Sequence, residues 1–119
     1  MHVSVEPEVL DPDYLKSKLN VDGCGSIVSF VGITRGLEEG SEVKRLEFDS
    51  WEEKLPVVLE SIAMEAMDEF GVCSVVIAHR TGAVLPTEPI VCIHVSSPHR
   101  SEGFSCLLYT SDAADELCR

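Results

Sequence analysis

The residues best suited to chemistry in this sequence are the six at positions 95–100, VSSPHR. Ser97 followed by Pro98 is typical of a helix start, because serine can cap free backbone N–H groups and proline suits the first helical position. A helix N-terminus attracts anions, and His99 and Arg100 add a proton-exchanging ring and a permanently charged guanidinium. This pattern favours a site for an anionic ligand. A capped helix whose first turn only faces solvent is the alternative.

The elements that would position these residues are readable from the hydrophobic pattern. An apolar run at residues 90–95 predicts a buried strand just before them, and residues 26–33 form the strongest strand pattern. An apolar stripe at helical spacing predicts the one long helix over residues 52–70, closed by Gly71. The remaining predicted elements are strands at residues 2–9, 43–51 and 72–78 and a short helix at residues 11–19. The order predicts an α+β domain with a mostly antiparallel sheet.

The composition limits the classes of partner. The chain has 119 residues, enough for one domain with its own core, and a net charge of -12. This acidity disfavours nucleic acid and anionic membranes, since attraction to phosphates needs a basic face. The sequence has no apolar stretch of spanning length and no basic-then-apolar signal pattern at its start, so we expect a cytoplasmic protein.

The cysteines and histidines give weaker indications. Five cysteines without a CxxC pair predict neither a disulfide scaffold nor a thiolate zinc site. Cys73 and Cys92 lie in apolar runs and are predicted to be core residues, whereas Cys24 lies in a turn without an evident activating base. A small metal-dependent hydrolase is an alternative whose candidate ligands are Cys92, His79, His94 and His99. No carboxylates cluster near them in the sequence, so we predict no metal site.

Three segments together resemble one known family. Residues 25–35, GSIVSFVGITR, are similar to the strand ending in FVGxxR of the large, catalytic subunit of molybdopterin synthase. Residues 76–82, VIAHRTG, resemble the HRxG strand exit of that family, and residues 95–100 match its VSSPHR segment. The order and spacing of the segments fit, with the long helix between the first two. The resemblance covers residues 2–105 and implies a fold of the α/β-hammerhead type.

The resemblance also implies a reaction and a site. Such proteins convert cyclic pyranopterin monophosphate into molybdopterin, and a small ubiquitin-like partner delivers the sulfur as a C-terminal thiocarboxylate. By position, Ile33, Thr34, Arg35, His99 and Arg100 would contact the pterin phosphate, with Arg35, His99 and Arg100 as the catalytic candidates. A homodimer at the core of a heterotetramer is implied, and no cofactor is expected. A helix N-terminus and arginine forks suit a phosphate on independent physical grounds.

The final residues depart from the family pattern. The resemblance predicts a helix with a lysine and then a WKKE-type segment, and these lysines serve sulfur transfer, but no lysine follows Lys54. The string CLLYTSDAADE is a translation of a common transposon-type sequencing adapter. We therefore expect residues 1–105 to form the family domain, incomplete at its C-terminus, and residues 106–119 to be a non-native tail. A divergent natural helix is the alternative. A sulfurtransferase without these lysines is expected to be inactive.

Three further interpretations remain open in the sequence. The missing lysines also allow a non-catalytic module that binds an anion or a peptide on the same scaffold. Arg80 is predicted to pair with one of the surplus carboxylates, and its alternative is an extended anion pocket. Trp51 is predicted to be a packing anchor or dimer contact, and its alternative is stacking on a pterin ring.

Overall fold

A computed structural model describes residues 1–33, 44–46 and 54–117, without the side chains of residues 44–46, 82–83 and 116–117. The predictions for Thr34, Arg35 and Trp51 lie outside the described residues. The strands are β1 (His2–Glu6), β2 (Ser26–Ile33), β3 (Lys44–Leu46), β4 (Ser74–Arg80), β5 (Gly82–Val84) and β6 (Pro89–Ser97). The helices are α1 (Pro12–Lys16), α2 (Leu55–Phe70) and α3 (Arg100–Leu117).

The main sheet has four strands in the order β1-β4-β6-β2. β6 pairs antiparallel with both β2 and β4, while β1 pairs parallel with β4. β3 and β5 form a separate antiparallel pair. The predicted α+β fold with a mostly antiparallel sheet is confirmed. β5 was not predicted, because three residues are too few to show an alternating pattern.

Alternating residues of the sheet face two different helical layers. Val75 and Ile77 of β4 belong to the large core cluster with Leu59 and Ala63 of α2. The intervening residue Val76 belongs to a second cluster with helix α1. Successive side chains of a strand point to opposite faces, so α2 and α1 cover opposite faces of the sheet. The predicted apolar stripe of α2 is confirmed as core.

α3 is a second long helix where the sequence predicted only one. Its buried positions are Gly103, Cys106, Thr110 and Ala114, which recur at helical spacing on the side facing the sheet. These residues are small or polar, so they leave almost no hydrophobic periodicity for a sequence to show. The helix runs through residues 105 and 106 without a break. The domain boundary placed there stays a prediction.

The end of α2 agrees with the sequence prediction, whereas the pairing of two cysteines does not. Gly71 closes α2 in the left-handed conformation, with φ of 65°, as predicted. Cys24 and Cys73 are joined in a disulfide, although the sequence placed Cys24 in a turn and Cys73 in the core and predicted no disulfide scaffold. The pair links the turn after α1 to the segment before β4, at a sequence separation of 49. Spacing alone gives no sign of such a long-range pair.

Among residues 1–33, 44–46 and 54–117, no helix is both long enough and apolar enough to cross a membrane.

Two buried histidines predict that stability depends on pH. His79 and His94 are each 2% exposed, and burial lowers the pKa of both below the usual value near 6.5. The unfolded chain therefore binds more protons than the folded one as the pH falls below about 6.5. The free energy of unfolding should decrease there by up to about 1.4 kcal/mol per pH unit for each histidine.

Urea unfolding at a series of pH values checks this expectation. The His94→Gln variant removes one titrating ring and keeps a polar group for the contact with Ser29, so its stability should fall less steeply than that of the parent chain. Parallel stability profiles for the two proteins between about pH 7.5 and 5.5 would show that His94 does not contribute.

Candidate functional site

The start of α3 is held by contacts to the main chain of His99. The Ser97 hydroxyl donates to the His99 carbonyl oxygen at 2.6 Å, and it lies 3.0 Å from the Ser26 hydroxyl. The Glu102 carboxylate accepts the His99 backbone N–H at 3.1 Å. The prediction that Ser97 caps a backbone N–H group is therefore wrong. The Glu102 carboxylate accepts the N–H, whereas the Ser97 hydroxyl donates to a carbonyl oxygen. The backbone N–H and the backbone carbonyl of His99 are both held by side chains.

Two glycines allow this segment to pack closely. A Cβ atom on Gly25 would lie 2.6 Å from the Pro98 carbonyl oxygen. A Cβ atom on Gly103 would lie 2.7 Å from the Ser97 hydroxyl. The Gly25 N–H also donates to the Ser97 carbonyl at 3.0 Å. The backbone that carries His99 is thus fixed against both β2 and α3.

The side chains that follow this fixed backbone are open to ligands. Pro98, His99 and Arg100 are all exposed, although Ser97 directly before them is buried. Exposure at a helix N-terminus leaves the guanidinium and imidazole groups free to meet a solvated anion. This arrangement supports the predicted anion site at His99 and Arg100.

The structure does not bring Ile33, another predicted site residue, to the same place. Ser26 of β2 pairs with Ser97, whereas Ile33 pairs with Pro89 at the far end of the same ladder. Seven residues of strand correspond to roughly 23 Å. Ile33 is 53% exposed and directly precedes Thr34 and Arg35 in the chain. Within one copy of the chain, Ile33 and His99 lie at opposite ends of the sheet.

A cavity of about 340 Å³ lies at the Ile33 end, between the sheet and the C-terminal part of α3. Its walls include Phe30, Gly32 and Ile33 of β2, His79 of β4, and Asp112 and Asp115 of α3. Residues of the FVGxxR-like segment therefore line a cavity, which the sequence could not show. The two aspartates reach it because α3 runs back along the sheet from the His99 end. They belong to the segment that the sequence assigned to a non-native tail.

His79 and Arg80 follow one another at the end of β4 but have different roles. His79 Nδ1 lies 2.8 Å from the Arg80 carbonyl oxygen, and burial lowers the pKa of its ring, so the histidine is neutral at the cavity wall. The Arg80 guanidinium donates to the Glu88 carboxylate at 3.3 Å and to the Pro7 carbonyl at 3.3 Å. The prediction that Arg80 pairs with a carboxylate is confirmed.

The candidate ligands of a metal-dependent hydrolase are not brought together. His79 faces the cavity under α3, whereas His94 points to the opposite face of the sheet, where its Nδ1 lies 2.7 Å from the Ser29 hydroxyl. Burial raises the pKa of the Cys92 thiol to about 11, which keeps it protonated. In the part of the chain that the structure describes, no group of three or more His, Cys, Asp or Glu residues could hold a metal ion.

Comparison with known proteins explains this combination of motifs. The family model described as MoaE protein matches residues 5–115. The chain belongs to the MoaE protein family. It is 29% identical over 115 residues to the molybdopterin synthase catalytic subunit of Thermoplasma volcanium, covering 97% of this chain and 84% of that protein. It is 30% identical over 114 residues to the corresponding protein of Pseudomonas aeruginosa, covering 94% and 76%.

Solved structures agree with this MoaE assignment. Molybdopterin cofactor biosynthesis protein E from Burkholderia multivorans superposes with a TM-score of 0.77 at 27% identity, covering 94% of this chain and 74% of that one. A complex of subunits 1 and 2 of molybdopterin-converting factor from Helicobacter pylori has the same fold, with a TM-score of 0.69 at 18% identity, covering 92% and 75%. Several curated relatives are longer, and the chain spans about half of their length.

Proposed function

We propose that this MoaE protein is the catalytic subunit of a cytoplasmic molybdopterin synthase and acts in molybdenum cofactor biosynthesis. Its substrate would be cyclic pyranopterin monophosphate, and a thiocarboxylated small subunit would supply the sulfur. The proposal is carried by the position of His99 and Arg100, exposed at the start of α3 within a chain whose family match covers residues 5–115. A phosphate is the group that this helix start is suited to bind.

The separation of the two halves of the site supports a homodimer. Arg35 follows Ile33 by two residues, and Ile33 lies at the opposite end of the β2–β6 ladder from His99. One small ligand cannot contact both ends of one copy across roughly 23 Å. A second copy of the chain, placed so that its His99 end meets the first copy's Ile33 end, would complete two equivalent sites. Such symmetric pairing is the commonest form of homo-oligomer.

The proposed roles follow from the chemistry of each side chain. Arg35 and Arg100 would hold the phosphate by charge-assisted hydrogen bonds. His99 would pass protons as a general acid or base while the pterin carbons accept sulfur and the partner's carboxylate leaves. Sulfur transfer in this family would also need lysines, and we propose that residues 106–119 stand in place of the segment that carries them. Asp112 and Asp115, which line the cavity, have the opposite charge.

Two measurements test the proposed function. Calorimetric titration with cyclic pyranopterin monophosphate should show saturable binding by the chain, and light scattering should show a particle of twice the 13.0 kDa chain mass. A species of only 13.0 kDa at micromolar concentration would contradict the homodimer. The absence of any pterin phosphate binding would contradict the function itself.

The second candidate function is a non-catalytic anion- or peptide-binding module on the same scaffold. It is favoured by one observation, that no lysine lines the cavity among the described residues. The two candidates differ in one respect. A catalytic subunit gains sulfur transfer when a lysine-bearing family segment replaces the residues after Ser105, whereas a binding module does not.

A further inference from the structure

Glu102 is a charged group within the site described above, and the proposed reaction gives it no part. It lies in the first turn of α3 with Arg100. One carboxylate oxygen accepts the His99 N–H at 3.1 Å, and the other accepts the Ser101 hydroxyl at 2.9 Å. The Ser101 hydrogen bond is the main cause that lowers the pKa of Glu102, so this carboxylate is ionised at neutral pH. The first turn contains a fixed negative charge.

This charge occupies a position that an anionic ligand would also use. The first N–H groups of a helix have no partner inside the helix and attract anions. Glu102 already accepts the N–H of His99, directly before the helix. Its charge also lowers the positive potential that the helix dipole creates at this end. An incoming anion therefore competes with a carboxylate that is part of the protein.

We propose that Glu102 determines the anion affinity and selectivity of the His99–Arg100 site, as a built-in carboxylate that a phosphate displaces from the His99 amide. The inference rests on the proposed function of this site. A tethered group has an effective concentration of about millimolar or higher, so a free carboxylate of the same chemistry competes poorly with it. A phosphate offers additional oxygens and can accept two parallel hydrogen bonds from Arg100. Glu102 thus favours phosphate esters over cellular carboxylates.

Titration with inorganic phosphate, followed by NMR at the His99 and Arg100 amides, tests this role. Glu102→Gln keeps an oxygen that can accept the His99 N–H but removes the charge, and it should bind phosphate roughly three- to tenfold more tightly. The gain should shrink as salt is raised to about 0.5 M. Acetate should compete with phosphate on the Glu102→Gln variant and hardly at all on the parent chain.

Two further variants separate a charge effect from a folding effect. Glu60→Gln makes the same change in net charge at an exposed position of α2, ten residues before its end, and should leave phosphate affinity unchanged. Glu102→Ala removes charge and hydrogen bond together and should bind at least as tightly as the parent chain. If Glu102 only caps the helix, Glu102→Ala would bind more weakly and Glu102→Gln would match the parent, which would overturn the proposal.

The Arg100→Ala variant distinguishes failure of this inference from failure of the site. If Arg100→Ala abolishes phosphate binding but Glu102→Gln binds like the parent chain, the role of Glu102 is wrong and the anion site stands. If the parent chain binds no phosphate, or Arg100→Ala binds as well as the parent, both the anion site and the role of Glu102 are wrong.

Discussion

In a reconstituted assay with the thiocarboxylated small subunit, this chain should form no detectable molybdopterin. Its rate should be at least about a hundredfold below that of a version whose C-terminal segment contains the lysines. Transfer of sulfur from an acyl carbon requires a positive group that holds developing charge or bonds to that carbon. No lysine follows Lys54, and Asp112 and Asp115 line the cavity at the end of β2. These carboxylates have the opposite charge and cannot supply the positive group of a lysine.

The matched comparison replaces the residues after Ser105. One version receives a lysine-bearing family segment, and a second receives the same segment with its lysines changed to glutamine. Only the first should form the dithiolene, although all three proteins should bind the substrate. Full product formation by the chain as written would contradict both the role of the missing lysines and the non-native origin of residues 106–119.

Replacement of either arginine should weaken the binding of pterin phosphate by about ten- to a hundredfold. A charge-assisted hydrogen bond contributes roughly 1.5–3 kcal/mol, and Arg35→Ala or Arg100→Ala each removes such contacts. Calorimetric titration of each variant measures the loss. Because the arginines act on the ligand and not on the core, thermal unfolding of the Arg100→Ala variant should stay close to that of the parent chain.

A lysine outside the proposed site provides the control for charge. Lys18 lies exposed after α1, 4.7 Å above the Tyr14 ring, on the opposite face of the sheet from α3. Lys18→Ala changes the net charge as the arginine variants do and should leave pterin phosphate affinity unchanged. Equal affinity of Arg35→Ala, Arg100→Ala and the parent chain would remove both arginines from the site.

β2 and α2 were predictable because their residues show the pattern of the element that they form. Ile27, Val28 and Phe30 belong to a β-branched and aromatic run, and α2 has an apolar stripe that ends at a glycine. α3 has no such stripe, since its buried positions include Gly103 and Thr110. Its burial depends on close approach to the sheet, which only the tertiary structure reveals.

The candidate site was predictable only where its signals are local. The Ser-Pro step before His99 indicates a helix start in the sequence itself. Glu102 three residues after His99 is half of a capping-box pattern, so the sequence contained a sign of its contact. The separation of Ile33 from His99 depends on the register of β2 against β6. Pairing register follows from packing across the whole sheet and could not be read from the motifs.

Titration of a mixture of two variants tests most directly the central claim of a pterin phosphate site assembled from two copies of the chain. Arg35→Ala and Arg100→Ala are each expected to lack tight binding sites. When the two variants are mixed and exchange subunits, the mixture should regain about a quarter of the tight sites that the parent protein has. Half of the dimers then contain one of each variant, and each such dimer has one intact site. A mixture that regains no tight sites, while light scattering shows that mixed dimers form, would contradict the account.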